Sequence, residues 1–193
     1  RRCDKATDVL RSCHRIDVSV TGKHSSPSDL EQLLHMWGDG SSSRAGKCGR
    51  GCSGSTQAVR YLEKEPPVLV IVINRKESSS KYKCSRAVVF KEVLDYPVVR
   101  SGRYALAGVL QHDGRRDEKT ARELAAKGHF VATCALGGGG GYVVCNDGDV
   151  VRKTWGEVAG PDLWRSAHVL VYARQTARAH SCEGIATVSY RRD

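Results

Sequence analysis

The stretch Gly128–Val151, GHFVATCALGGGGGYVVCNDGDVV, places one imidazole and one carboxamide–carboxylate pair where they can do chemistry. His129 opens an apolar run, five glycines interrupt it, and Asn146 and Asp147 close the run that follows. Antiparallel strands joined by such a link bring their open ends together, so Asn146 can accept a hydrogen bond from the His129 ring. Hydrolysis through a thiol needs a cysteine activated by an imidazole, and a polar side chain that fixes the imidazole's tautomer. The stretch supplies the second and third parts. A plainer reading also fits: a strand-end histidine bonded to backbone, and an Asn-Asp-Gly turn that this composition favours with or without catalysis.

The elements that position these residues follow from pattern. Ile16, Val18 and Val20 alternate as a half-buried strand. In SPSDLEQLLHMWGDG, Ser28 stands three residues before Glu31 as a capping box, and Leu30, Leu33, Leu34 and Trp37 follow at helical spacing up to Gly38. GSSSRAG reads as a flexible turn and TQAVRYLEKEPP as another strand. VLVIVINR, continuous and β-branched, predicts a strand buried on both faces. AVVFKEVLDY, RYALAGVLQHDG, HFVATCAL, GYVVCN and HVLVYAR predict further strands, and DEKTARELAAKG a short helix or helical loop. Five or six mostly antiparallel strands with helices confined to the front make an α+β fold. The chain divides into a front region 1–65, a sheet region 66–174 and a tail 175–193 with little pattern.

Composition narrows the classes. No apolar run approaches the roughly 18 residues of a membrane-spanning helix, and no leader pattern is visible. The net charge of +10 is spread without a block of five or six like charges. It reads as a solvated basic surface, or as contact with an acidic partner such as RNA in a ribonucleoprotein. No zinc-finger or RNA-recognition signature accompanies it. Of the eight cysteines, Cys84, Cys134 and Cys145 sit in or beside apolar runs as small core residues do, which indicates a reducing, intracellular compartment.

In order along the chain, these segments resemble the C-terminal half of the catalytic domain of ubiquitin-specific proteases, the papain-like cysteine deubiquitinases. SDLEQLLHMW is similar to the family's leading fingers helix. KCGRGCSGSTQAVRYLEKEPPVLVIVINR resembles its cysteine pair, basic strand, proline and apolar strand ending in Arg. SRAVVFKEVLDY and YALAGVLQHDG resemble the strands that follow. GHFVATC resembles the Gly-His-Tyr box with Phe130 in place of Tyr, YVVCNDGDVV the strand ending in Asn/Asp-Asp, and AHVLVYAR the closing strand.

The resemblance implies an antiparallel palm sheet with a fingers-like extension, the helical thumb half being absent from this chain. It implies His129 as general base, with Asn146 or Asp147 as its orienter. It implies His112, Gly128 and Phe130 at the substrate, which would be ubiquitin or a ubiquitin-like protein. The loop after His112 departs from the family, being the longer and charged RRDEKTARELAAK. Cys48 and Cys52 resemble half of the family's structural zinc site, with Cys3 left from the other half and Cys13 and His14 as substitutes. Their spacing, three residues where two are usual, fits a degenerate site that has lost its metal as well as an occupied one. No other cofactor is required.

The family's nucleophile box, a Gly-Asn-Thr-Cys type segment opening a helix, does not occur in these residues. Cys145 should point away from the face of its neighbour Asn146, and Cys134 lies five residues beyond His129. Three readings follow: the cysteine-bearing half is supplied elsewhere, the chain is a pseudoenzyme that binds, or it is a scaffold domain of a large assembly, such as a ribonucleoprotein, where its charge contacts RNA or acidic protein. A viral papain-like protease shares the arrangement, but the PPVLVIVINR context argues against it.

Overall fold

Alternating apolar residues build the framework around one sheet. The computed structural model describes residues 7–12, 15–20, 28–39, 46–47, 55–56, 58–75, 84, 86–95, 102–113, 128–175 and 187–192. In chain order the strands are β1 Thr7–Ser12, β2 Ile16–Ser19, β3 Ser28–Asp29, β4 Gly46–Lys47, β5 Ser55–Thr56, β6 Ala58–Lys64, β7 Val68–Asn74, β8 Val88–Val89 and β9 Val93–Leu94. They continue with β10 Tyr104–Asp113, β11 His129–Ala135, β12 Tyr142–Asn146, β13 Asp149–Lys153, β14 Ala167–Arg174 and β15 Thr187–Arg192. The helices are α1 Leu30–Gly38, α2 Trp155–Val158 and α3 Pro161–Ser166.

The main sheet runs β13-β12-β11-β10-β14-β7-β2, with β9 pairing to the start of β10 beside β11. All its pairings are antiparallel except β2 with β7. One row of facing residues, Ile71, Leu170, Val109 and Thr133, is buried and looks into the core. The next row, Val72, Val169, Leu110, Ala132, Cys145 and Val150, crosses six strands on the other face and is only half-buried or exposed. β7 is therefore buried on one face at Leu69, Ile71 and Ile73 and half-covered on the other, rather than buried on both. α1 lays Leu30, Leu33, Leu34 and Trp37 on the core, as their spacing predicts.

Several local expectations are corrected. Ser28 does not cap α1. Its N–H donates to the Ala87 carbonyl and its residue pairs with Val88, so the cap passes to Asp29, whose carboxylate accepts from the Glu31 N–H at 2.7 Å. AVVFKEVLDY forms two short strands, β8 and β9, in place of one. Helices are not confined to the front, since α2 and α3 lie between β13 and β14. In place of a patternless tail throughout, residues after 186 supply β15, which lies between β1 and β6 in a second, three-stranded sheet. Residues 40–45 of the GSSSRAG turn and residues 117–127 of the expected helix DEKTARELAAKG lie outside the described residues. No helix among the described residues is long and apolar enough to cross a membrane.

Arg75, at the end of β7, is 2% exposed. Its Nε donates to the Ala167 carbonyl at 2.9 Å, its Nη1 to the carbonyls of Arg86 and Cys84, and its Nη2 to that of Trp164 at 2.7 Å. Burial pushes its guanidinium down to about 10. A guanidinium is the one side chain whose planar fork can serve several carbonyls at once. Arg75→Met leaves those acceptors without a donor and should lower stability by about 3 kcal/mol. Arg75→Lys should recover only part of that. Urea denaturation reads both; a loss below about 1 kcal/mol for Arg75→Met would refute the role.

Three buried tyrosines tie the sheet to its loops. Tyr104 donates to the Pro66 carbonyl at 2.6 Å, Tyr172 to that of Lys91 at 2.8 Å, and Tyr142 to the Glu92 carboxylate at 3.0 Å. Burial pushes the Tyr104 phenol up to about 12 and raises the other two as well. Unfolded tyrosine ionises near pH 10, so above that pH the unfolded chain sheds protons the folded chain retains. This stability is complete below about pH 10 and is lost as pH rises through 12. In an alkaline titration, part of the phenolate absorbance should therefore rise together with loss of the far-ultraviolet dichroism. Full ionisation with the dichroism intact would contradict this.

Candidate active site

The β11–β12 hairpin places the chemistry. Ala132 faces Cys145 and Ala135 faces Tyr142, so the strands open toward His129 and Asn146. The glycine link closes the far end as a 3-10 turn over Gly137–Gly139. Gly141 has φ of 84°, and a Cβ there would lie 2.7 Å from the Lys153 carbonyl, so only glycine fits that corner.

At the open end, His129 Nε2 is hydrogen-bonded to Asn146 Oδ1. An amide oxygen only accepts, so Nε2 carries the proton and Nδ1 is the basic nitrogen. Asp147 follows with φ of 53°, the one positive φ among described non-glycine residues, in the two-residue turn with Gly148 that links β12 to β13. Aspartate tolerates this region because its short polar side chain adds little clash. The turn brings Asp147 Oδ2 to 3.9 Å from His129 Nε2. The His129 and Asp147 side chains are 45% and 84% exposed, so the pair stands on an open rim.

His112, Gly128 and Phe130 also come together, but on the other side of the sheet. His112 faces Phe130 across β10–β11 with ring centroids 4.6 Å apart, and its ring lies 6.4 Å from that of His168. Side chains alternate along β11, so Phe130 points opposite to His129. A Cβ on Gly128 would lie 1.6 Å from His112 Nε2, which gives Gly128 a packing role. Sequence reasoning missed the polar chain beneath the rim: Thr133 Oγ1 donates to Gln111 Oε1 at 3.2 Å, and Gln111 Nε2 donates to Ser166 Oγ at 3.0 Å. Its only trace is a Gln and a Thr inside otherwise apolar runs.

Cys134 is exposed and Cys145 half-buried; both lie in the outer rows, away from the His129 face. The metal candidates Cys3, Cys48 and Cys52, with Cys13 and His14, lie outside the described residues. Among the described residues no group of three or more His, Cys, Asp or Glu is placed to hold a metal.

The family model for ubiquitin carboxyl-terminal hydrolase matches residues 4–172. No curated protein sequence matches the chain. Among solved structures, a chain from the SAGA Ubp8/Sgf11/Sus1/Sgf73 DUB module superposes with a TM-score of 0.59 at 19% identity, covering 90% of this chain and 41% of that one. That likeness shows a shared fold, and this chain spans about two fifths of the solved chain's length.

Packing around Gly128 is testable. Gly128→Ala should displace the His112 ring from Phe130 and cost about 1–3 kcal/mol, and adding His112→Ala should remove most of that cost. Additive losses in a denaturation double-mutant cycle would rule out the contact.

Proposed function

The chain belongs to the ubiquitin carboxyl-terminal hydrolase family, and we propose that it is the base-bearing part of a thiol hydrolase that cleaves peptide and isopeptide bonds of ubiquitin. The observation that carries this reading is the His129 Nε2 bond to Asn146 Oδ1 on an exposed rim, which leaves Nδ1 as the base. A thiol supplied by a cysteine-bearing segment outside these residues gives its proton to His129 Nδ1. The thiolate adds to the carbonyl carbon, and the imidazolium returns the proton to the departing amine. Water, deprotonated by the same nitrogen, then releases the thioester. Asn146 holds the tautomer through the cycle and Asp147 stabilises the imidazolium. Donors for the oxyanion belong with the cysteine segment. The exposure of the rim and of Leu110, Phe130 and Val150 on the outer face of the sheet supports a partner segment or subunit.

The test uses the chain assembled with its cysteine-bearing partner segment. A ubiquitin vinyl-sulfone probe should label the assembly. His129→Ala should cut turnover by about 10²–10⁴-fold. Imidazole nitrogen NMR of the chain should show the Nε2–H tautomer, lost in Asn146→Ala. An assembly that neither labels nor responds to His129→Ala would replace this reading with a non-catalytic binding scaffold of the same fold.

A further inference from the structure

Among the described residues β13 is one border of the main sheet, and all five of its residues are exposed. Asn146 and Asp149 flank a two-residue turn, so they must form a hydrogen-bonded pair, because no pair exists inside them. The period of two then fixes the rest. Asp149, Val151 and Lys153 direct their backbone groups to β12, while the N–H and C=O of Val150 and Arg152 point outward. The side chains of Asp149, Val151 and Lys153 share one face, an acid and a base at equal distances from a central valine. Val150 and Val151 are 66% and 51% exposed. No ion pair among the described residues engages Asp149 or Lys153, though Lys153 is one of the groups that hold the exposed Glu157 carboxyl low.

We propose that β13 pairs antiparallel with β13 of a second copy of this chain, about a two-fold axis through Val151. In that register Val150 of each copy exchanges both backbone hydrogen bonds with Arg152 of the other. Val151 meets Val151 at a close, non-hydrogen-bonded position. Asp149 stands opposite Lys153 at both ends, on the same face as the valine contact, which is the favoured sign for directly facing charges. Sheet borders usually carry a proline, a bulge or a repelling charge that blocks such pairing. β13 has no proline and no bulge, and its lysine would meet an aspartate. The opposite border, β2, has no such match, since its acid Asp17 is already paired with Arg15 at 3.1 Å. An unrelated extended peptide would gain the backbone bonds but not the charge match at both ends. This inference stands independently of the proposed activity.

A five-residue edge is a small interface, so the dimer should be weak, with a Kd of about 10 μM to 1 mM. Sedimentation equilibrium of the full chain up to about 1 mM should show a concentration-dependent dimer. Asp149→Lys places lysine opposite lysine twice and should weaken it at least about tenfold. Combining Asp149→Lys with Lys153→Asp should restore it. Val150→Pro removes an outward N–H without touching the β12 pairing and should abolish it, with circular dichroism to confirm folding. If that variant unfolds, the charge-exchange series decides alone. A chain that stays monomeric throughout, or a dimer indifferent to Asp149→Lys, would overturn the proposal.

Discussion

The fold is organised around a buried cation that backbone carbonyls solvate. Among the described residues Arg75 is held by carbonyls alone, those of Cys84 and Arg86, of Trp164 in α3 and of Ala167, the first residue of β14. A charge taken from water without full solvation by dipoles is strongly unfavourable, so these segments must converge on it or the fold is lost. That convergence fixes where β14 begins. β14 in turn sets β10, through two irregularities in their register, and β10 sets β11. The position of His129 is thus the last term of a series that starts at the end of β7.

At the rim, the division between a neutral and a charged partner has a physical logic. Asn146 accepts from Nε2, so it selects a tautomer and adds no charge to the rim. The carboxylate that does so stands farther off and is mostly exposed, where water screens it. Both come from one turn, and the left-handed residue in that turn is what separates their distances from the imidazole.

Much of this was legible because strands and hairpins carry short-range signals. The alternation in β2 gave its buried face, the β-branched run of β7 marked a strand, and the glycine link marked the β11–β12 hairpin. What escaped depended on contacts far along the chain. Ser28 satisfies the local cap rule, yet its backbone is taken by residues 87–88, so Asp29 caps instead. α2 and α3, of four and six residues, are too short to show a helical period. The faces taken by His112 and His129 could be deduced only with the β10–β11 register, in which His112 meets Phe130 rather than its neighbour. The resemblance grouped these residues by chain order, which does not record the side of the sheet.

The placement of β15 between β1 and β6 has a consequence for how the chain reaches this state. Thr7 lies opposite Arg192, and the same strand contacts Ala58 through Lys64 on its other side. During synthesis, β1 and β6 emerge from the ribosome long before their central strand exists, and neither can complete its ladder by pairing with near neighbours. Closing so long a loop is entropically slow. The second sheet therefore closes only once β15 has emerged, and until then two strand edges wait for their central strand.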